Sequence, residues 1–267
     1  MSLLDESFES ATTVIGVRNE KGNVAWIGTG FFVSVKNMRG PGRYIYLVTN
    51  RHVIEGLKSI VIRAHLKNGE IASIDAPLIV NDKHIFLMHH NSNIDIAIIP
   101  LSGNYIDNIL SGISSFYMEE NVYLAEEYLA EGGFEGSSVF MLGFPMGIVD
   151  KYSTTPICRK GCIARFKIND IRNNYNFWLD LQNYPGNSGS PIISCPDIVA
   201  LEGTKILNKI MLIGIVHSYL PYRESLRNTQ TNEIVEIRTE NSGIALAHPV
   251  DYIKELIEED LKRKGLG

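Results

Sequence analysis

The chain predicts a mostly all-β protein: two successive sets of short antiparallel strands, a helical segment between them, and one closing helix. Three observations carry this. Short apolar, β-branched runs recur at even spacing between Gly, Asn and Pro turns, the rhythm of small barrels. That rhythm fails over residues 102–133, where 104–110 and 119–130 read as helical, and a structureless loop of that length is uncommon. After His248-Pro249 the apolar spacing becomes helical, with Tyr252, Ile253, Leu256, Ile257 and Leu261 along one side.

Taken in order, residues 11–17 predict a first strand, with β-branched side chains favouring extension. Residues 20–23 form a turn, and 24–35 form a second strand interrupted by Gly28 and Gly30. Residues 44–49 form a strand that runs into His52, and 59–66, the stretch around 78–80, 84–88 and 95–99 complete the first set. The second set comprises 137–142, 156–168, 175–181, 190–194, 209–218 and 243–247, with a polar loop over 218–241 holding a further strand at 233–238. Residues 250–264 predict the closing helix, where Lys262, Arg263 and Lys264 complement the C-terminal dipole. The division is an N-terminal barrel over 1–103, a connection over 104–135 and a C-terminal barrel with its helix over 136–267.

Composition narrows the function. A net charge of −5 gives no broad nucleic-acid surface, and no apolar run is long enough to span a bilayer. The first residues lack the basic and apolar regions of a secretory signal. Three cysteines, Cys158, Cys162 and Cys195, give an odd count and no disulfide framework, which fits a reducing cytoplasm. Cys158 and Cys162 do not have C-x-x-C spacing, and alternation places them on one strand face, so buried thiols are expected. His89-His90 lacks further ligands at metal-binding spacing. No cofactor is expected.

Gly186-Asn187-Ser188-Gly189-Ser190-Pro191 holds the chemistry. It reads as a nucleophilic Ser188 in a sharp turn, which glycines at 186 and 189 permit. The amides of Gly186 and Ser188 can converge on one point as an oxyanion hole. A bland Gly/Asn/Ser surface turn is the other reading of the hexapeptide alone. A serine nucleophile needs a base and the base needs an orienting carboxylate. His52 stands after the apolar run 46–49, and Asp95 stands at the mouth of another.

In the order His, Asp, Ser, the motifs Thr49-Asn50-Arg51-His52-Val53, Asp95-Ile96-Ala97 and Gly186-Asn187-Ser188-Gly189-Ser190-Pro191 resemble the chymotrypsin-like (trypsin-like) serine protease superfamily, most of all its bacterial HtrA-type branch. No appended peptide-binding (PDZ) module is visible. Gly28 to Val33, the stretch from Gly136 to Gly147, Lys160 to Ala164, Ile213 to Val216 and Ser242 to Ala247 extend the likeness over most of the chain. The resemblance implies two antiparallel six-stranded β-barrels with the site between them, His52 and Asp95 on the first and Ser188 on the second. It implies a serine endopeptidase acting on protein or peptide substrates through an acyl-enzyme, with no nucleic-acid or membrane partner. A regulatory partner protein stays open. A catalytically idle binding or scaffold module on the same fold is the alternative, and an esterase-like or amidase use of the machinery is a third.

Ser190 stands where most members have glycine, and Gly-Asn-Ser-Gly-Ser-Pro also resembles the glutamyl endopeptidases. The resemblance places Gln182, Gly214, His217 and Gly243 around the substrate pocket. Gln182 stands where tryptic enzymes carry a carboxylate, so a Lys/Arg preference is not implied. His217 reads in two ways: an ordinary strand histidine, or a pocket residue favouring Glu or Gln before the cut. The second requires a bulge, because one step along a regular strand reverses a side chain's direction.

Overall fold

The computed structural model describes residues 4–101, 113–150, 152–196 and 205–266. The expected helix at 104–110 lies outside them. The first strand set comprises β1 (Thr12–Arg18), β2 (Val24–Lys36), β3 (Arg43–Thr49), β4 (Ser59–His65), β5 (Ile71–Pro77), the small hairpin of β6 (Ile79–Val80) and β7 (Lys83–His84), β8 (Leu87–Met88), β9 (Ala97–Pro100) and β10 (Tyr117–Met118). Apart from the β6–β7 hairpin these form an eight-stranded sheet, ordered β5-β4-β1-β2-β3-β9-β8 with β10 on β2. Two of its strands, β8 and β10, are two-residue pairings, so the expected six longer strands stand out.

The second set comprises β11 (Ser138–Gly143), β12 (Ile157–Arg165), β13 (Phe177–Asp180), β14 (Pro191–Ser194), β15 (Leu212–Arg227) and β16 (Ile234–Pro249). They close into a six-stranded barrel in the order β11-β12-β13-β16-β15-β14. The fold is mostly β, as the sequence predicts. A shared apolar core joins the two halves: Phe31, Tyr46 and Val48 from the first, Leu142, Ile193 and Ile215 from the second, and Ile253, Leu256 and Ile257 from the C-terminal helix. That helix spans Asp251–Arg263. Its buried Asp260 accepts a hydrogen bond from the Tyr46 hydroxyl at 3.0 Å and pairs with Lys264 at 2.6 Å, tying the helix to β3.

Several expectations are corrected. Residues 119–130 do not form one helix: a 3₁₀ turn at Glu119–Asn121 and a helix at Ala125–Ala130 flank an extended break. The break exists because the Tyr123 N–H donates to the Leu212 carbonyl at 3.0 Å, a tertiary bond that competes with the helix. Within 218–241 the loop is confined to 228–233: β15 runs on to Arg227 and β16 begins at Ile234, inside the expected strand at 233–238, so the two make one long hairpin. β12 stops at Arg165, and a short helix, Ile168–Asn174, precedes β13. A second unexpected helix, Glu6–Ser10, buries Phe8. No disulfide joins the three cysteines, and only Cys195 is buried. Cys158 is exposed and Cys162 half-exposed, because their shared face of β12 is the outer one.

Candidate active site

His52 and Asp95 meet because their strands are neighbours. β3 and β9 pair antiparallel with Thr49 opposite Ala97, so the residues just past one strand face those just before the other. Asp95 then holds the histidine segment at four points. Its Oδ2 is 2.5 Å from His52 Nδ1, and its Oδ1 accepts the His52 backbone N–H at 3.0 Å. Its carbonyl accepts from Asn50 Nδ2 at 2.7 Å and from the Arg51 N–H at 3.4 Å. Burial opposes ionisation of Asp95, but the hydrogen bond and charge of His52 outweigh it, so the carboxyl lies below its usual range. The His52 side chain is 51% exposed, so its outer ring edge reaches solvent.

Ser188 lies between β13 and β14 in a turn with Gly186 at φ +94° and Gly189 at φ +88°. The turn docks onto β2 of the other half. The Thr29 N–H donates to the Ser188 carbonyl at 2.8 Å, and Thr29 Oγ1 donates to the Gly186 carbonyl at 2.8 Å. Gly28 is the strand's point of closest approach, since a Cβ there would meet Val53 at 2.8 Å and the Ser188 carbonyl at 3.3 Å. Val53 follows His52, so the β2 glycine brings the histidine turn and the serine turn against each other. The Asn187, Gly189 and Ser190 amides are spent on Tyr184, Val216 and Asn187 carbonyls. Among the described residues, the Gly186 and Ser188 N–H groups donate to no protein group. Those are the two donors assigned to an oxyanion from sequence.

The expected pocket residues separate. Gly243, at φ +83°, faces open space, and its carbonyl accepts the Leu181 N–H at 2.9 Å, joining the two rims. Gln182 is exposed, and its Oε1 accepts from the Tyr184 hydroxyl at 2.8 Å. Gly214 does not face outward: a Cβ there would meet the Phe177 ring at 2.6 Å, inside the barrel core. The bulge that His217 needs is present, with the β15–β16 register shifting between Val216 and Ser218. It turns the ring toward Asn176 Oδ1, 2.8 Å from Nε2, and onto the face of His248, with centroids 4.1 Å apart. His248 in turn accepts the Asp95 backbone N–H. The carboxamides that join the rims were missed from sequence: Asn183 Nδ2 donates to the Ser218 carbonyl at 3.0 Å, and Asn241 Nδ2 donates to the Asn183 carbonyl at 2.5 Å. Asn-rich loops are common, and nothing local marks these two.

A strand sheet and a closed barrel with a His–Asp pair on one and a glycine-bounded serine turn on the other define a chymotrypsin-like serine protease architecture. A family model described as "Trypsin-like peptidase domain" matches residues 28–197, more than half the chain, and the chain belongs to that family. Among solved structures it is similar to the HtrA-type protease AlgW with decapeptide, at TM-score 0.53 and 14% identity over 96% of this chain and 66% of that one. It thus spans just under two thirds of that protein. The protease Anisep from Arthrobacter nicotinovorans matches at TM-score 0.48 and 11% identity over 92% and 93% of the two chains. The MamO protease domain from Magnetospirillum magneticum matches at TM-score 0.43 and 12% identity over 93% and 96%. No curated protein matches.

Proposed function

We propose that the chain is a serine endopeptidase in which Ser188, His52 and Asp95 work as a triad. The observation that carries this is the 2.5 Å His52–Asp95 contact standing beside a serine turn with two unspent amides. With Nδ1–H donated to Asp95, His52 Nε2 keeps a lone pair and can take the Ser188 proton as Oγ attacks a peptide carbonyl. The Gly186 and Ser188 amides would hold the oxyanion. His52 then returns the proton to the leaving amine, and a water activated the same way hydrolyses the acyl-enzyme. The AlgW structure with a decapeptide supports a peptide as the class of substrate. An odd count of three cysteines with no disulfide framework fits the reducing, cytoplasmic setting that we also infer.

A fluorophosphonate probe tests the reading. Stoichiometric labelling of the wild type, lost in a folded Ser188→Ala variant, is expected, with a peptide library then reporting the preferred cut. A wild type that neither labels nor cleaves would identify an idle module on the protease fold.

A further inference from the structure

His248 lies at the end of β16, fully buried, and takes no part in the proton transfers described above. Its two ring nitrogens are nonetheless both committed. The backbone N–H of Asp95 donates to Nε2 at 3.0 Å. Nδ1 is 2.6 Å from the Tyr175 carbonyl, which can only accept. Together these define one neutral tautomer, with the proton on Nδ1. A protonated ring would set an N–H against the N–H of Asp95.

His217 covers one face of that ring, its plane tilted by only 11°. Asn176 Oδ1 takes the proton on His217 Nε2. Tyr252 from the C-terminal helix meets the His248 ring edge-on at 6.2 Å. The ring is therefore held from two sides and cannot turn without losing its bond to Asp95.

We propose that His248 is a positioning residue for the triad: its Nε2 anchors the Asp95 backbone so that the carboxylate stays on His52, and His217 and Asn176 brace it. The inference rests on the triad reading. Among the described residues, Asp95 is otherwise fastened only from the His52 side, through Asn50, Arg51 and His52 itself. Among the described residues, His248 supplies the one hydrogen bond that ties Asp95 to the closed barrel. Burial favours the uncharged form of both rings, pushing His248 down to about 4 and His217 to about 3, and protonation of His248 would lower His217 further. Neutrality matters chemically, because a second cation beside Asp95 would weaken its stabilisation of a protonated His52.

The test compares His248→Leu with His248→Gln in the full-length chain, reading the rate of fluorophosphonate labelling per folded molecule and the far-downfield proton resonance of the His52–Asp95 hydrogen bond. Leu leaves the half-buried Asp95 N–H without its partner, and labelling about 10- to 100-fold slower is expected, with the resonance lost. Gln offers an oxygen near the Nε2 position and should restore most of both. A purely structural role would lower the folded fraction without moving the rate per folded molecule or the resonance.

Wild-type rate and resonance in His248→Leu would overturn the inference and leave the triad reading standing. If the wild type itself does not label, the triad reading fails and the resonance alone decides: its persistence in His248→Leu overturns the anchoring. If His248→Leu does not fold, His248→Asn replaces it, because the shorter side chain falls short of Asp95. Slower labelling for Asn than for Gln supports the anchor, and equal rates overturn it.

Discussion

Replacing Gly189 by alanine would put a methyl carbon 2.0 Å from the Thr29 carbonyl oxygen and 2.6 Å from Thr49 Oγ1. Thr29 cannot give way, because it sits inside β2 opposite Val14 and its carbonyl already accepts the Thr49 hydroxyl at 2.7 Å. The serine turn must move instead. Its φ of +88° adds roughly 1–2 kcal/mol for any residue with a Cβ. A displacement on the order of 1 Å at a reacting group costs roughly 10²-fold in rate. Gly22 is the control: it has φ +81° and nothing within 4 Å of an added Cβ, so alanine there incurs the conformational cost alone. Gly22→Ala should therefore lose about 1–2 kcal/mol in urea unfolding and label with a fluorophosphonate at the wild-type rate. Gly189→Ala should lose about 2–4 kcal/mol and label about 100-fold more slowly. Equal losses in the two variants, or wild-type labelling by Gly189→Ala, would refute the docking of this turn against β2.

Asp95→Asn should lower turnover on the order of 10⁴-fold near neutral pH, because the amide favours the wrong His52 tautomer; a steady-state rate within a few-fold of wild type would mean that another group orients the base. Tyr46→Phe removes a buried hydrogen bond to the Asp260 carboxylate and should cost about 1.5–3 kcal/mol by urea unfolding, with labelling of Ser188 unchanged. The buried histidines make stability depend on pH with a definite sign. His248 and His217 titrate at about 4 and about 3 in the folded chain, below the ordinary 6.5, so the unfolded chain binds more protons between these values. Stability is complete above about pH 6.5 and should fall as pH drops toward 4 and then 3, with the lowered carboxyl of Asp95 adding to the loss as pH falls through its own folded value. Urea midpoints taken from pH 8 to pH 4 check this, and His248→Gln should flatten the slope.

The serine turn was legible because its requirement is local: positive φ at residues 186 and 189 needs glycine wherever the chain goes next. The strands carrying His52 and Asp95 were legible from apolar runs ending in polar turns. The C-terminal helix declared itself through apolar spacing, and it ends within one residue of the predicted bounds. The short helices Glu6–Ser10 and Ile168–Asn174 did not, because one or two turns are unstable alone and exist here by burying Phe8 and Ile171. The outer half of the β15–β16 hairpin is exposed on both faces, so no alternation of apolar and polar residues marks it.

Local sequence thus marked the glycine-bounded serine turn, His52 and Asp95 as candidates, since each is recognisable from its own neighbours. The tertiary structure alone decided what stands behind them. From sequence His217 stayed open between an ordinary strand histidine and a pocket residue; in the fold a bulge lays it on the ring of His248 and against Asn176. His248 closed the second barrel as an ordinary strand-end residue until folding brought its Nε2 to an amide 153 positions away. A hydrogen bond across such a separation leaves no period in the sequence, because its geometry comes from the packing of the sheet against the barrel and not from the chain near either partner.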